Sequence, residues 1–477
     1  MELHLVIESR KDLTGQVYRQ LREAIRSGRL SHGEQLPPSR VLAGQLGVSR
    51  KTISEAYAKL THDRLMAGQV GVGSFVIGKA EPSFTYRSAA DLASAAVVKH
   101  WDSLATPLLR RSPAGQSRYE FIGGATSKSG FPLDQWRRSM LWALRKGVPD
   151  SGRYGEAAGI PQLQQAIAKH ASFSRGVRCS ASDIVVTCGA QQALDLIARV
   201  LIEPGCIVAV EDPGYPPARS LFACQGANVI GVPVDAEGIV VDQIPAGVRL
   251  IYVTPSHQFP LGMPMSRARR QALIERALEI GAIIIEDDYD SAFRHEGRPV
   301  DCLQSMDTHG IVAYVGTFSK VLLPEMRLGY LIAPPAILNA VVTAKHLTDG
   351  HVGTTMQWAL AHFIEEGLLA KHIRRSLAIY GARRTRILER LRGDLSEWFE
   401  PLPSTSGCHV AALLKKPLDL ALLITLARRV EVGLYRLDPF YVDSPPAAGL
   451  LFGFGAIELL DIDTAMDRVA SILSELG

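Results

Sequence analysis

An α/β chain in two unequal parts is what this sequence predicts: a small helical unit ending in a β-hairpin, then a large layered unit with a mostly parallel sheet between helices. Three observations predict it. Residues 17–60 hold three short apolar stretches at helical spacing, and residues 69–76 alternate around glycines. From Phe121 onward, short β-branched runs take turns with helical patterns. Between the two, residues 79–115 change character. A chain of 477 residues is too long for one ordinary domain, and 47% apolar residues suffice for a sizeable core. The expected domains are therefore 1–78, a linker at 79–115, and 116–477.

In the first unit Val17, Leu21 and Ile25 form an i, i+4, i+8 stripe, and Gly28 ends that helix. Leu36-Pro-Pro-Ser39 supplies a rigid approach, with Ser39 expected as the N-cap of a short helix to Leu46. Gly47 suits the left-handed C-cap, and Ser49 then caps a third helix whose inner face is Ile53, Tyr57 and Leu60. Its first turn and outer face carry Arg50, Lys51, Thr52 and Ser54, where a recognition helix presents polar groups to base edges. Gln69–Val76 would make a two-stranded wing. Three helices and a hairpin are also common without nucleic acid, with Arg50 and Lys51 as a solvated face. The charge bears on that choice. Residues 1–78 hold 11 Lys/Arg against 7 Asp/Glu, and the remaining 41 of each sign cancel. All the excess positive charge lies where a phosphate backbone would be met.

The wording is more specific than the pattern. LPPSRVLAGQLGVSRKTISEAYAKL at residues 36–60, followed by GVGSFV at 71–76, resembles the GntR-type winged helix-turn-helix across the whole unit. The resemblance implies a double-stranded DNA operator as partner. Contacts would come from Arg40, Arg50, Thr52 and the wing near Gly73, with Ser49 and Lys51 on the same helical turn.

Residues 79–115 open on Glu81-Pro-Ser83, continue through an alanine-rich stretch and end on Arg110-Arg-Ser-Pro-Ala-Gly115. They read as a linker with one helix around 90–104, long enough to tether two domains rather than fuse them.

In the large unit, runs at 184–187, 207–210, 250–253, 282–286 and 311–315 read as buried parallel strands, with helices such as 191–202 and 267–280 between them. Such folds bind ligands beyond the carboxyl ends of their strands. The residues there have one chemistry in common. After Thr187, Cys188-Gly-Ala-Gln-Gln-Ala193 opens a helix and offers backbone N–H groups to a phosphate. After Ile285, Glu286-Asp-Asp-Tyr-Asp290 can set a carboxylate against a pyridine nitrogen, keeping the ring an electron sink, with a tyrosine beside a phenolate oxygen. After Val315 comes Lys320, between Ser319 and Arg327. An amine near its free pKa of ~10.4 is a poor nucleophile, so its neighbours must help deprotonate it. Together these are what pyridoxal 5'-phosphate needs.

From Phe121 to the C-terminus the chain resembles the fold-type I aminotransferases. GAQQALDLIARVL at 189–201, EDPGYPPAR at 211–219, TPSHQFPLG at 254–262 and IIEDDYDSAFR at 284–294 are similar to the MocR branch of GntR regulators. The resemblance implies that Lys320 forms the Schiff base with pyridoxal phosphate, that Asp287 rather than Asp288 partners the pyridine nitrogen, and that Tyr289 bonds the phenolate oxygen. Gly189, Ala190, Gln191, Ser319 and Arg327 would cradle the phosphate, and Tyr215 would stack on the ring. Tyr154, five residues before Gly159, matches the tyrosine that reaches a neighbouring subunit's phosphate, which implies a homodimer.

Two departures stand out. Aminotransferases usually place an asparagine before Pro-x-Gly, where this chain has His257-Gln-Phe-Pro-Leu-Gly262. They also carry a C-terminal arginine that clamps a substrate carboxylate. Ala447–Gly455 holds none, and the nearest upstream is Arg436, either an effector contact or an ordinary surface arginine.

The six cysteines are scattered with no Cys-x-x-Cys pair, so buried free thiols are expected and no metal site. Glu2, His4, Glu8 and Arg10 interrupt any apolar leader, and no membrane span is apparent. A cytoplasmic protein is expected. The function expected is a transcription regulator whose aminotransferase-like domain senses pyridoxal phosphate, an amino compound, or both. The alternative is a working aminotransferase with an accessory DNA-binding domain.

Overall fold

The computed structural model describes residues 5–7, 9–69, 73–78, 117–127, 130–147, 154–297 and 301–476. The chain divides into two compact units, Met1–Asp102 and Ser103–Gly477. The division falls inside the expected linker, whose residues, with the helix expected near 90–104, lie outside the described ones.

In the small unit, helices α1 (Leu13–Arg26), α2 (Ser39–Leu46) and α3 (Arg50–His62) pack beside a three-stranded sheet of β1 (Gln35–Leu36), β2 (Met66–Gln69) and β3 (Gly73–Val76). Val17, Leu21, Ile25, Ile53 and Leu60 are fully buried, so the helical stripes do face one core. Three details differ from expectation. Helix α1 stops at Arg26, two residues before Gly28. Ser39 is the first helical residue rather than the cap, because Pro38 holds the extended N-cap conformation. The wing's first strand starts at Met66, and its tip at 70–72 lies outside the described residues. Gly47 takes the left-handed C-cap at φ 63°, as expected.

The large unit is built on an eight-stranded sheet. Its strands are β5 (Ile184–Thr187), β6 (Ile207–Asp212), β7 (Asn228–Asp235), β8 (Gly238–Ile239), β9 (Val248–Val253), β10 (Ile283–Asp288), β11 (Val312–Thr317) and β12 (Gly329–Ile332). They lie in the order β5-β12-β11-β10-β9-β6-β7-β8. The five expected strands run the same way, and β12 is inserted antiparallel between β5 and β11. Alternate residues supply different cores. Val185, Leu250, Tyr252 and Ile285 pack with the helix Ala190–Leu201, while Ile184, Ile251 and Ile284 serve the opposite face. Burial on both faces is what a continuous β-branched run requires, at ~1.5–3 kcal/mol for each fully buried side chain.

A second, antiparallel sheet of β13 (Phe399–Pro401), β14 (His409–Leu414), β16 (Tyr435–Arg436) and β17 (Gly449–Gly453) sits with the helices Leu368–Arg392, Leu420–Arg429 and Leu459–Leu476. The pair β4 (Tyr119–Glu120) and β15 (Val432–Gly433) ties residues before the large sheet to this region. Cys302 and Cys408 are buried, the other four cysteines are half-buried, and all six are free. Among the described residues, no helix is long and apolar enough to cross a membrane.

Candidate functional site

Strand register gathers the candidate residues on one edge of the large sheet. Gly329 of β12 pairs with both Thr317 of β11 and Thr187 of β5. Arg327, two residues before Gly329, therefore emerges beside Gly189, two after Thr187, and beside Ser319 and Lys320, just after Thr317. Asp287 lies opposite Val315 on the neighbouring strand, so it faces the same edge.

Lys320 is half-buried, and its Nζ donates to the Gly124 carbonyl at 2.6 Å. Burial pushes its amine below the usual lysine value, although Cys408, Asp290 and Asp287 pull the other way. A desolvated lysine holds more of its population as the free amine, the form that attacks a carbonyl carbon.

The two adjacent aspartates have different environments because successive residues of a strand point to opposite faces. Burial pushes Asp287 up to about 7, against a hydrogen bond of 2.7 Å that Tyr252 donates to its Oδ2. Its Oδ1 is buried with no hydrogen-bond partner among the described residues. Asp288 takes Arg175 Nε at 2.7 Å and the Tyr314 hydroxyl at 2.5 Å. Burial would raise that carboxyl, but the Arg175 guanidinium prevails and holds it below the ordinary value. Each aspartate keeps an Oδ1 without a hydrogen-bond partner among the described residues, but Asp288 is charge-paired with Arg175, while Asp287 on the opposite face meets only the Tyr252 phenol and has an oxygen to offer.

Gly189 is the N-cap of the helix Ala190–Leu201, at φ 79°. A Cβ there would sit 3.0 Å from the Arg327 guanidinium, whose Nη2 donates to the Cys188 carbonyl at 2.9 Å. Ala190 and Gln191 form the half-buried first turn of that helix, where free N–H groups and the helix dipole favour an anion. Ser319 is half-buried, and its N–H donates to Thr317 Oγ1 at 3.1 Å. Gln192, not expected from the sequence, fixes this loop. Its Oε1 accepts from the Cys188 N–H at 2.7 Å and its Nε2 donates to Asp349 at 2.7 Å, with the buried Lys345 donating to Asp349 at 2.8 Å.

Tyr215 caps the helix Pro216–Cys224 and meets Phe259 edge-on at 5.6 Å between ring centroids. The Tyr289 hydroxyl donates to the His257 carbonyl at 2.9 Å. Tyr154 is not in this cluster. It is 95% exposed and touches the edge of His351. Arg436 is also elsewhere engaged: its Nε donates to Asp438 at 2.5 Å, and a second N–H reaches the other carboxylate oxygen. Its fork is filled by the chain's own carboxylate, so the geometry offers no clamp there. The buried Arg383, missed in the sequence, donates instead to the Phe454 and Gly455 carbonyls at 3.2 and 3.0 Å. It anchors the stretch that lacks the usual arginine.

On the small unit Arg40, Arg50 and Lys51 are exposed on the first turns of α2 and α3. Arg50 Nε lies 3.4 Å from Ser39 Oγ, and Lys51 sits 3.9 Å from Glu55, an exposed pair worth little. Ser49 Oγ accepts from the Thr52 N–H at 3.1 Å, and the two hydroxyls are 2.8 Å apart. Ser49 is therefore the helix cap, with Thr52 turned toward it. Gly73 opens β3 against the Gln35 side chain.

The aminotransferase class I and II family matches residues 129–449, and the gntR family of bacterial regulatory proteins matches residues 13–76. The chain is 32% identical to the HTH-type transcriptional regulator YhdI of Bacillus subtilis (strain 168), over 98% of this chain and 97% of that protein. It is 33% identical to the probable rhizopine catabolism regulatory protein MocR of Rhizobium meliloti, over 93% and 90%. A solved kynurenine aminotransferase of Pyrococcus horikoshii superposes with a TM-score of 0.74 at 28% identity, covering 82% of this chain and 99% of that one. Likeness to regulators spans both units at once, and the chain belongs to the MocR-type gntR transcriptional regulators, in which a helix-turn-helix DNA-binding domain is joined to an aminotransferase-like domain.

Proposed function

We propose that the large unit binds pyridoxal 5'-phosphate through Lys320 and that its occupancy, alone or with an amino compound, tunes DNA binding by the small unit. The observation that carries this reading is the buried, unpartnered Oδ1 of Asp287, on the sheet edge that also carries Lys320. An orphaned acceptor costs ~1–3 kcal/mol, and the protonated ring nitrogen of the cofactor is a donor that would relieve it. The rest of the donor set fits as well. The N-terminus at Gly189–Gln191 with Arg327 and Ser319 would hold a phosphate, since a side chain at Gly189 would fill the space against Arg327. Tyr289 would donate to the phenolate oxygen, and Tyr215 would cover a ring face.

When bound, the cofactor supplies a carbonyl carbon for Lys320 and an electron sink. Lys320 would present its free amine, Asp287 would hold the ring proton, and Arg327 would fix the phosphate end. An effector amine bound beside Lys320 would alter contacts here, and regulation follows if the two occupancies favour different arrangements of the DNA-binding domains. Regulation rather than turnover is favoured by Phe452 and Phe454, which occupy the stretch where a carboxylate-clamping arginine is usual, and by the engagement of Arg436 with Asp438. Tyr154, exposed to 95% on its own chain, would be free to reach a second subunit, and the working unit would then be a homodimer. Its setting would be the cytoplasm, where DNA and the free cofactor are both at hand.

The test is a spectral titration of purified protein with pyridoxal phosphate and then with candidate amines, run beside operator binding. A visible band that amines displace, with a matching change in DNA affinity or bending, supports the reading. Sustained transamination with DNA binding indifferent to both ligands would assign the domain to catalysis instead.

A further inference from the structure

His257 lies in the stretch that lacks the usual asparagine before Pro-x-Gly, and its surroundings are built for it. Both His257 and Asp290 are buried, and Asp290 holds the ring through contacts of 3.0 and 3.1 Å to Nδ1. A carboxylate accepts, so Nδ1 carries the proton. The Tyr289 oxygen lies 3.0 Å from that same nitrogen, and its own proton goes to the His257 carbonyl at 2.9 Å. Residue 257 therefore grips the phenol at two points. Ser404 Oγ lies 3.3 Å from Nε2, and His409 stacks on the ring at 4.5 Å while its Nε2 is held by the Pro260 carbonyl.

The ring cannot swing away. Gly407, at φ 86°, lies flat against it, and a Cβ there would come within 2.1 Å of His257 Cε1 and 2.5 Å of the Asp290 carboxylate. Asp290 is fixed in turn by the Cys408 N–H at 3.2 Å. A histidine packed only for bulk would need neither a buried carboxylate on its nitrogen nor glycine on its edge.

We propose that Asp290 and His257 form a positioning pair for Tyr289: the Nδ1–H fixes the phenol oxygen, and in loaded protein the phenol proton would turn from the His257 carbonyl to the phenolate oxygen of the cofactor held by Lys320. This rests on the cofactor reading above. Asp290 locks the imidazole tautomer, and the Nδ1–H shared with the Tyr289 oxygen strengthens the phenol as a donor, because hydrogen bonds in a buried chain polarise one another. The other ionisable groups around Tyr289 are Asp287, Glu211 and Cys408, with Lys320 and His409 beside the pair.

The experiment follows the visible band of full-length, cofactor-loaded protein as pH is raised. Donation to the phenolate oxygen lowers the pH at which the Lys320-linked nitrogen loses its proton. Tyr289→Phe should therefore raise that midpoint by about one unit or more, the equivalent of one charge-assisted hydrogen bond. Asp290→Asn and His257→Asn, read in protein that still folds and binds the cofactor, should raise it in the same direction by a smaller amount. Adding Asp290→Asn to Tyr289→Phe should shift it no further. Two arms are used so that a folding failure in one leaves the other to decide. A bound cofactor whose midpoint ignores both substitutions overturns the positioning pair alone. Wild-type protein with no visible band and no borohydride-trapped cofactor overturns the cofactor reading, and this inference with it.

Discussion

Asp287 accepts the Tyr252 phenolic proton at 2.7 Å through one carboxylate oxygen and buries the other without a partner. Burial sets its pKa at about 7, against an ordinary value of 3.8. Below the ordinary value the group is protonated whether the chain is folded or not, and it costs nothing. As pH rises through 3.8 toward 7 the unfolded chain releases the proton and the fold does not, so stability falls. Above 7 the full penalty applies, about three pKa units or on the order of 4 kcal/mol. Cofactor-free Asp287→Asn protein should thus melt higher than wild type near pH 8, with the gap closing toward pH 4. The same substitution should weaken cofactor binding. Calorimetry at the two pH values checks the first claim, and equal melting curves at both would contradict it.

Lys320 is the residue that should hold the cofactor covalently. Its depressed pKa follows from burial, and its Nζ donates to the Gly124 carbonyl. Borohydride treatment of loaded protein should fix the cofactor to the peptide containing Lys320, as read by mass spectrometry. Lys320→Ala should abolish both the trapped adduct and the visible band while leaving operator binding by the small unit measurable. Equal trapping in the variant would place the linkage elsewhere.

The proposed phosphate cradle should be sensitive to one methyl group. Gly189 sits at φ 79°, and a Cβ there would press on Arg327 at 3.0 Å. Gly189→Ala should cost ~1–3 kcal/mol of stability through backbone strain and also reduce cofactor affinity by displacing the guanidinium. Gly205→Ala is the control, since Gly205 has φ 87° with nothing within 4 Å of a Cβ. It should show the strain and keep the affinity. Matching affinity losses in the two variants would remove Arg327 from the phosphate site.

Tyr154 has 95% of its surface exposed, which is unusual for a large aromatic side chain. If it completes a partner's site, loaded protein should sediment as a dimer at micromolar concentration, and Tyr154→Ala should lower cofactor affinity without altering the protomer's fold. A monomer with cofactor bound would contradict the shared site.

Much of this was legible in the sequence because local chemistry and fold agreed. The run 283–288 is apolar up to its acidic end, so strand and site could be read together. Strand β7 escaped because Gly231 and Pro233 interrupt its pattern, and β12 because four residues after a loop carry little periodicity. The choice of Asp287 over Asp288 depended on which face each occupies and on the Arg175 that neutralises one of them, a contact 113 residues away in sequence. Arg383 and Lys345 lie on helices whose patterns give no hint that these cations are buried and paired. Arg436 had the right residue type, but Asp438, two residues on, already fills its fork.

DNA binding should reside in the small unit and fall steeply with salt, because its excess positive charge must displace counterions from the phosphate backbone. Three substitutions separate the roles of the α2 and α3 first turns. Ser49→Ala removes the cap that accepts from Thr52 at 3.1 Å, so it should cost ~1 kcal/mol of domain stability and weaken all sequences together. Arg40→Ala should likewise weaken all sequences and flatten the salt slope by about one, the behaviour of a phosphate contact. Arg50, exposed at the start of α3, is the residue proposed to read a base. Arg50→Ala should cost ~1–3 kcal/mol on the operator and relax specificity at one position in each half-site, with melting unchanged. Fluorescence anisotropy on operator and single-base variants, repeated at several salt concentrations, distinguishes these cases. If the Arg50→Ala, Arg40→Ala double variant binds operator as wild type does, the recognition surface lies on another face of the unit.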